Sequence, residues 1–185
     1  IISLARRAFQ LHLFKSTIGN ESSSLLIKDH IDYDLSILIP VLLKLGTLKE
    51  PKIPIEKYIR YVKSNDKEVL PYVLELIDST FSADSKNFIL PLVDPDVRPS
   101  KIAVGLFGTR FLSKDEILLF WMESNHTWKR SIALNYCLGK EKINLLKKVK
   151  LKSENKDNRR YALLNDYQKK YLNRNFLNNK ILIEE

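Results

Sequence analysis

Asp66-Lys-Glu-Val69, Asp94-Pro-Asp-Val97 and His126-Thr-Trp128 open three similar passages within the stretch from Asp66 to Gly139. Each has a Val or Trp after a polar linker, then a short polar run and an apolar stripe at helical spacing. The starts lie 28 and then 31 residues apart. A weak period of this size is the signature of stacked helical hairpins. No stretch alternates with period two, so the expected fold class is all-α, an α-α superhelix or solenoid of helical hairpins with no sheet.

The three passages define the expected hairpins. Ile55 to Lys63 and Lys67 to Phe81 form the first, the second helix carrying Val69, Leu70, Val73, Leu74, Ile77 and Phe81 as one apolar face. Ser85–Val93 and Pro99–Phe111 form the second, with Ile102, Ala103, Leu106 and Phe107 facing inward. Gly105 and Gly108 would weaken that helix by roughly 1 kcal/mol each, and close approach of a neighbouring helix is the expected compensation. The third opens on Ser113-Lys-Asp-Glu116, a capping box in which serine and glutamate satisfy each other's amide groups. Ile117, Leu118 and Trp121 follow as its stripe, then Trp128–Leu138, stopped by Gly139. Trp121 and Trp128 are expected to fill the space between its two helices.

Upstream, residues 1–17 read as a helix, with Leu4, Ala8, Leu11 and Phe14 inward and Gly19-Asn20 as a stop. A short helix from Leu25 to Ile31 and another from Asp32 or Asp34 to Leu45 follow. Pro40 sits inside the second and predicts a kink, because proline removes a backbone bond and crowds the preceding turn. Pro71 and Pro91 occupy comparable places. The expected division is a repeat domain over residues 1–139 and a basic C-terminal cap or tail over residues 140–185.

The chain has 185 residues, a net charge of +9 and a single cysteine, Cys137, which excludes an internal disulfide framework. A chain opening on Ile1 reads as a piece of a longer protein or as one with a trimmed terminus. The longest apolar run, near Leu35–Leu45, is short of the ~20 residues that cross a bilayer. From Lys140 onward thirteen Lys and Arg face six Asp and Glu; the preceding residues hold eighteen and sixteen. The body is therefore near neutral, whereas a nucleic-acid groove shows its positive charge on the folded body.

No catalytic constellation emerges, and the expectation is no enzyme, no cofactor and no metal. Asp29-His30-x-Asp32 lacks the further ligands that an ordinary metal site needs. Cys137 lies in a core stripe without an activating base nearby in sequence. Asp94 and Asp96, and Asp115 and Glu116, sit at turns and helix starts, which favour negative charge. Gly105-x-x-Gly108 lacks the strand context of a phosphate loop.

Tyr72-Val-Leu-Glu-Leu-Ile-Asp78, Phe88-Ile-Leu-Pro-Leu-Val-Asp94 and Trp128-Lys-Arg-Ser-Ile-Ala-Leu134 carry a family resemblance. Residues 28–139 resemble HEAT-type helical repeats. More narrowly, they are similar to the soluble HEAT domain attached to bacterial membrane proteins of the ATP/ADP-translocase and major-facilitator type. In that family the corresponding segments read Ala-Leu-Glu-Leu-Leu-Asp, Leu-Leu-Pro-Leu-Leu-Asp and Trp-Leu-Arg-Ala-Cys-Ala-Leu. The chain departs from the pattern at Pro71 and in the spacing after Leu134. The resemblance implies a non-enzymatic protein–protein interaction scaffold, the cytoplasmic part of a larger transporter-like protein. Its partner would be another protein, including a membrane-embedded part of the same parent chain.

Lys101 and Arg130, polar positions beside the inner stripe, are the candidate partner-binding residues. The basic tail cluster Lys147, Lys148, Lys150, Lys152, Lys156, Arg159 and Arg160 would be drawn to anionic lipid or nucleic acid, though a solvated helix face explains it as well. The alternative function is a nucleic-acid-binding helical-repeat protein resembling a DNA glycosylase, which the near-neutral body opposes.

Overall fold

A computed structural model describes residues 1–48, 53–64, 68–140 and 145. The described residues are all-α. They form α1 (Ile2–Ile18), a 3-10 turn at Ser22–Ser24, α2 (Leu25–Gly46), α3 (Ile55–Ser64), α4 (Leu70–Thr80), α5 (Ala83–Val93), α6 (Pro99–Phe107), α7 (Lys114–Met122) and α8 (Thr127–Gly139), with no strand among them. One compact unit spans Ile1–Ile117 and a second begins at Leu118, so α7 belongs partly to each.

The first unit is centred on α1, which packs most extensively on α6 and α2 and also touches α5. Ala5, Ala8, Phe9, Leu11, Leu13, Phe14 and Ile18 are all buried, a wider face than the single stripe expected. A helix covered on several sides needs apolar residues on several sides. Phe107 joins three helices: its ring centroid lies 5.4 Å from that of Phe9 on α1 and 5.4 Å from that of Phe88 on α5. The Arg6 guanidinium lies 5.6 Å from the same centroid. Around this centre α2 packs on α3, α3 on α4, and α4 on α5, while α5 returns to α2.

Residues 25–46 form one continuous helix, correcting the break expected near Asp32. The two acidic residues do not cap a new helix. They face cations of α1: Asp32 pairs with Lys15, and Asp34 lies 3.6 Å from Arg7. Such partly exposed pairs contribute about 0–1 kcal/mol each. Burial of one large apolar side chain contributes about 1.5–3 kcal/mol. The seam is therefore held by its apolar residues, and its charges favour one register.

Pro40 remains inside α2 and Pro91 inside α5. Pro71 instead falls in the first turn of α4, where its missing N–H costs no helical bond. The helix begins at Leu70 rather than Lys67, and Val69 precedes it half-buried. Its buried residues are Leu70, Val73 and Ile77, and Phe81 is buried just beyond its end.

Helix α6 stops at Phe107, four residues before the expected Phe111. Gly108 ends it in the left-handed conformation, with φ of 58° and its N–H donating to the Val104 carbonyl at 2.9 Å. The Thr109 hydroxyl donates to the Ala103 carbonyl at 2.9 Å, satisfying another terminal acceptor. Gly105 does not mark a close approach. A Cβ built there meets nothing within 4 Å.

The capping box forms as expected. The Ser113 N–H donates to Glu116 Oε2 at 2.8 Å, and the Glu116 N–H donates to Ser113 Oγ at 3.3 Å. Arg110 completes the corner, 2.9 Å from Glu116 Oε1. These bonds, led by the one from the Ser113 backbone, hold the Glu116 carboxyl below its usual pKa.

In the second unit Trp121 is buried while Trp128 is 57% exposed. The expected filling of the third hairpin by both rings is thus half wrong: Trp128, second residue of α8, stands on the outside of its helix. The Lys129 ammonium lies 5.8 Å from the Trp121 ring centroid and links the two helices there.

Candidate interaction surface

The outer face of α2 is apolar. Leu26, Tyr33, Ile37 and Val41 recur at intervals of seven, four and four, and are 37–61% exposed. At 1.5 Å rise per residue the stripe extends about 22 Å along the helix. The opposite side of α2 buries Ile27, Ile31, Leu35, Leu38 and Leu42 in the first unit. Apolar residues therefore lie on both sides of this helix, and among the described residues only one side is buried. Pro40 lies near the outer stripe, half-exposed, and the exposed Ser36, whose carbonyl it leaves unbonded within the helix, can be served by water.

Lys101 is exposed on α6, beside exposed Val104 and Gly105. Arg130 is only 5% exposed, on α8, and does not sit on an open face beside the stripe as expected. The two candidate partner-binding residues belong to different units. Lys147, Lys148, Lys150, Lys152, Lys156, Arg159 and Arg160 lie outside the described residues.

Asp29 is exposed, His30 is buried with Nε2 3.9 Å from Asp34 Oδ1, and no group of three metal-ligating side chains forms among the described residues. Asp94 Oδ1 accepts from the Asp96 N–H at 2.9 Å, closing the turn between α5 and α6. Cys137 is fully buried. Sequence reasoning missed His12. Its Nε2 is buried with no hydrogen-bond partner among the described residues. Burial, aided by the Lys15 ammonium and opposed by Asp32, pushes its pKa down to about 4. The available signal was its place between Leu11 and Leu13, one turn after Ala8 and Phe9.

Among the described residues no helix is long and apolar enough to cross a membrane. Comparison with protein-family models, curated proteins and solved structures finds no match for this chain.

Proposed function

We propose that the chain is a non-enzymatic protein-interaction module. The observation that carries this reading is the outer side of α2, where Leu26, Tyr33, Ile37 and Val41 are exposed, the last three on successive turns. Single exposed apolar residues are ordinary, but a contiguous line of them on one helix marks an interaction surface. We propose further that the helices stack as a HEAT-like superhelix. The sequential contacts of α2 with α3, α3 with α4, and α4 with α5 support stacking of those helices, while α1, packed most on the distant α6, stands outside that sequence. The resemblance of residues 28–139 supports a cytoplasmic scaffold within a larger bacterial transporter-like protein.

The test is site-specific photo-crosslinking in cells. A photoreactive side chain at Tyr33 should give a discrete adduct. One at Glu75, exposed on α4, should give none. Equal labelling from both positions, or none from either, rejects the reading.

A further inference from the structure

The outer face of α2 also carries charge, and its placement selects a partner. Asp29 is exposed in the N-terminal part of the helix and Lys44 is exposed in the last turn. Lys44 lies in line with Leu26, Tyr33 and Ile37, eighteen residues beyond Leu26, which is five full turns. Asp29 lies at the edge of the same face, about 60° away around the helix. The face is thus acidic near one end, apolar along its middle and basic at the other.

We propose that α2 pairs with α2 of a second copy of this chain, antiparallel, about a two-fold axis between Ser36 and Ile37. The occupant is chosen by charge complementarity. In an isologous pair each residue i meets a residue j, and j meets i. With the axis at this point Asp29 of one copy lies opposite Lys44 of the other, twice. Tyr33 lies opposite Pro40, a ring against an apolar pyrrolidine, and the two Ile37 side chains meet near the axis. A parallel pair would set Asp29 beside Asp29 and Lys44 beside Lys44, so the charges reject it. Lys44 already pairs with Glu56 at 2.7 Å within its own copy. An ammonium has three donors, and this one remains half-exposed, so a second carboxylate can share it. The outer face is built from a single helix, which places the dimer among weak, reversible associations.

This inference rests on the reading of the α2 face as an interaction surface, and its test separates the two. The 185-residue chain is followed by sedimentation velocity from about 10 µM to about 1 mM, a range that covers weak association. The wild type should form a concentration-dependent dimer that salt weakens. Asp29→Lys and Lys44→Asp, each alone, should weaken it at least about tenfold, because each creates two like-charge pairs. Mixing the two variants should restore a dimer, since the mixed pair keeps one native contact between Lys44 and Asp29 and has the signs of the other exchanged. Ile37→Asp should abolish the dimer without changing the circular dichroism spectrum, which guards against a folding defect in Lys44→Asp. A monomer throughout the range overturns the inference, as does a dimer indifferent to these changes or a mixture no tighter than its components. In the crosslinking experiment, an adduct of twice the chain mass supports the second copy. An adduct to a different protein alone overturns the dimer and leaves the interaction module standing.

Discussion

Gly46, the last residue of α2, lies directly against the ring of Phe81 at the end of α4. A Cβ at position 46 would stand 2.6 Å from Phe81 Cδ2 and closer still to Cε2. Phe81 is itself buried, so its ring has little room to swing away. The glycine is required by space: among the described residues the positive-φ glycines are Gly19 and Gly108, and Gly46 is not one of them. Gly46→Ala should therefore destabilise the protein by about 1–3 kcal/mol, the usual cost of overpacking. Alanine's helix propensity returns at most ~1 kcal/mol, so the clash wins. Urea denaturation measures it, and Phe81→Leu in the same chain should recover part of the loss.

Gly105 is the opposite case. It lies inside α6, exposed, with open space around its Cα. Gly105→Ala should stabilise the protein by about 0.5–1 kcal/mol, because it removes backbone freedom from the unfolded chain without meeting a neighbour. A loss of stability in the same denaturation experiment would mean that something does pack on this face.

His12 predicts a pH dependence. Its folded pKa is about 4 against an ordinary 6.5. Above about pH 6.5 both folded and unfolded states hold it neutral, and it has no effect. As pH falls from there the unfolded state takes up a proton that the folded state refuses, so stability drops. The loss is complete near the folded value and levels off below it. Allowing for partial exposure, the loss amounts to about 1–3 kcal/mol. Thermal melts of wild type and His12→Leu at pH 7 and pH 4.5 should show a smaller acid loss in the variant. Equal losses would assign acid sensitivity to other groups.

The two tryptophans should behave oppositely. Trp121 is 1% exposed, and Trp121→Ala should cost about 3–5 kcal/mol. Trp128→Ala should change stability by no more than about 0.5 kcal/mol. Iodide quenching of fluorescence checks the same point without a stability measurement: Trp121→Phe should leave a quenchable emission, and Trp128→Phe a protected one.

Local chemistry was legible in the sequence where it is decided by neighbours a few residues apart. Ser113 and Glu116 form their reciprocal bonds, and Pro99 opens α6, because capping depends on spacing alone. The apolar face of α4 was legible through Val73 and Ile77 for the same reason. What remained hidden depends on distant partners. Asp32 looks like a cap until Lys15 stands beside it, and then it is a surface residue of an unbroken helix. Gly46 does end α2, but the need for glycine there appears only when Phe81 arrives. Trp128 shares the size and spacing of a core residue, and only the placement of α8 turns it outward. The candidate interaction surface was missed because the outer stripe of α2 is apolar at helical spacing, as a buried stripe would be.

The packing of α1 on α6 has a consequence for how the protein is made. A ribosome releases α1 early, while the helix that covers it most is still unsynthesised. Phe9 must wait for its Phe107 neighbour through the emergence of four further helices, although α2 can cover another side of α1 sooner, and in that interval nascent-chain binders have their opportunity. Final closure of this unit is then a late step, tied to completion of the turn at Gly108 and not to the first helices to appear.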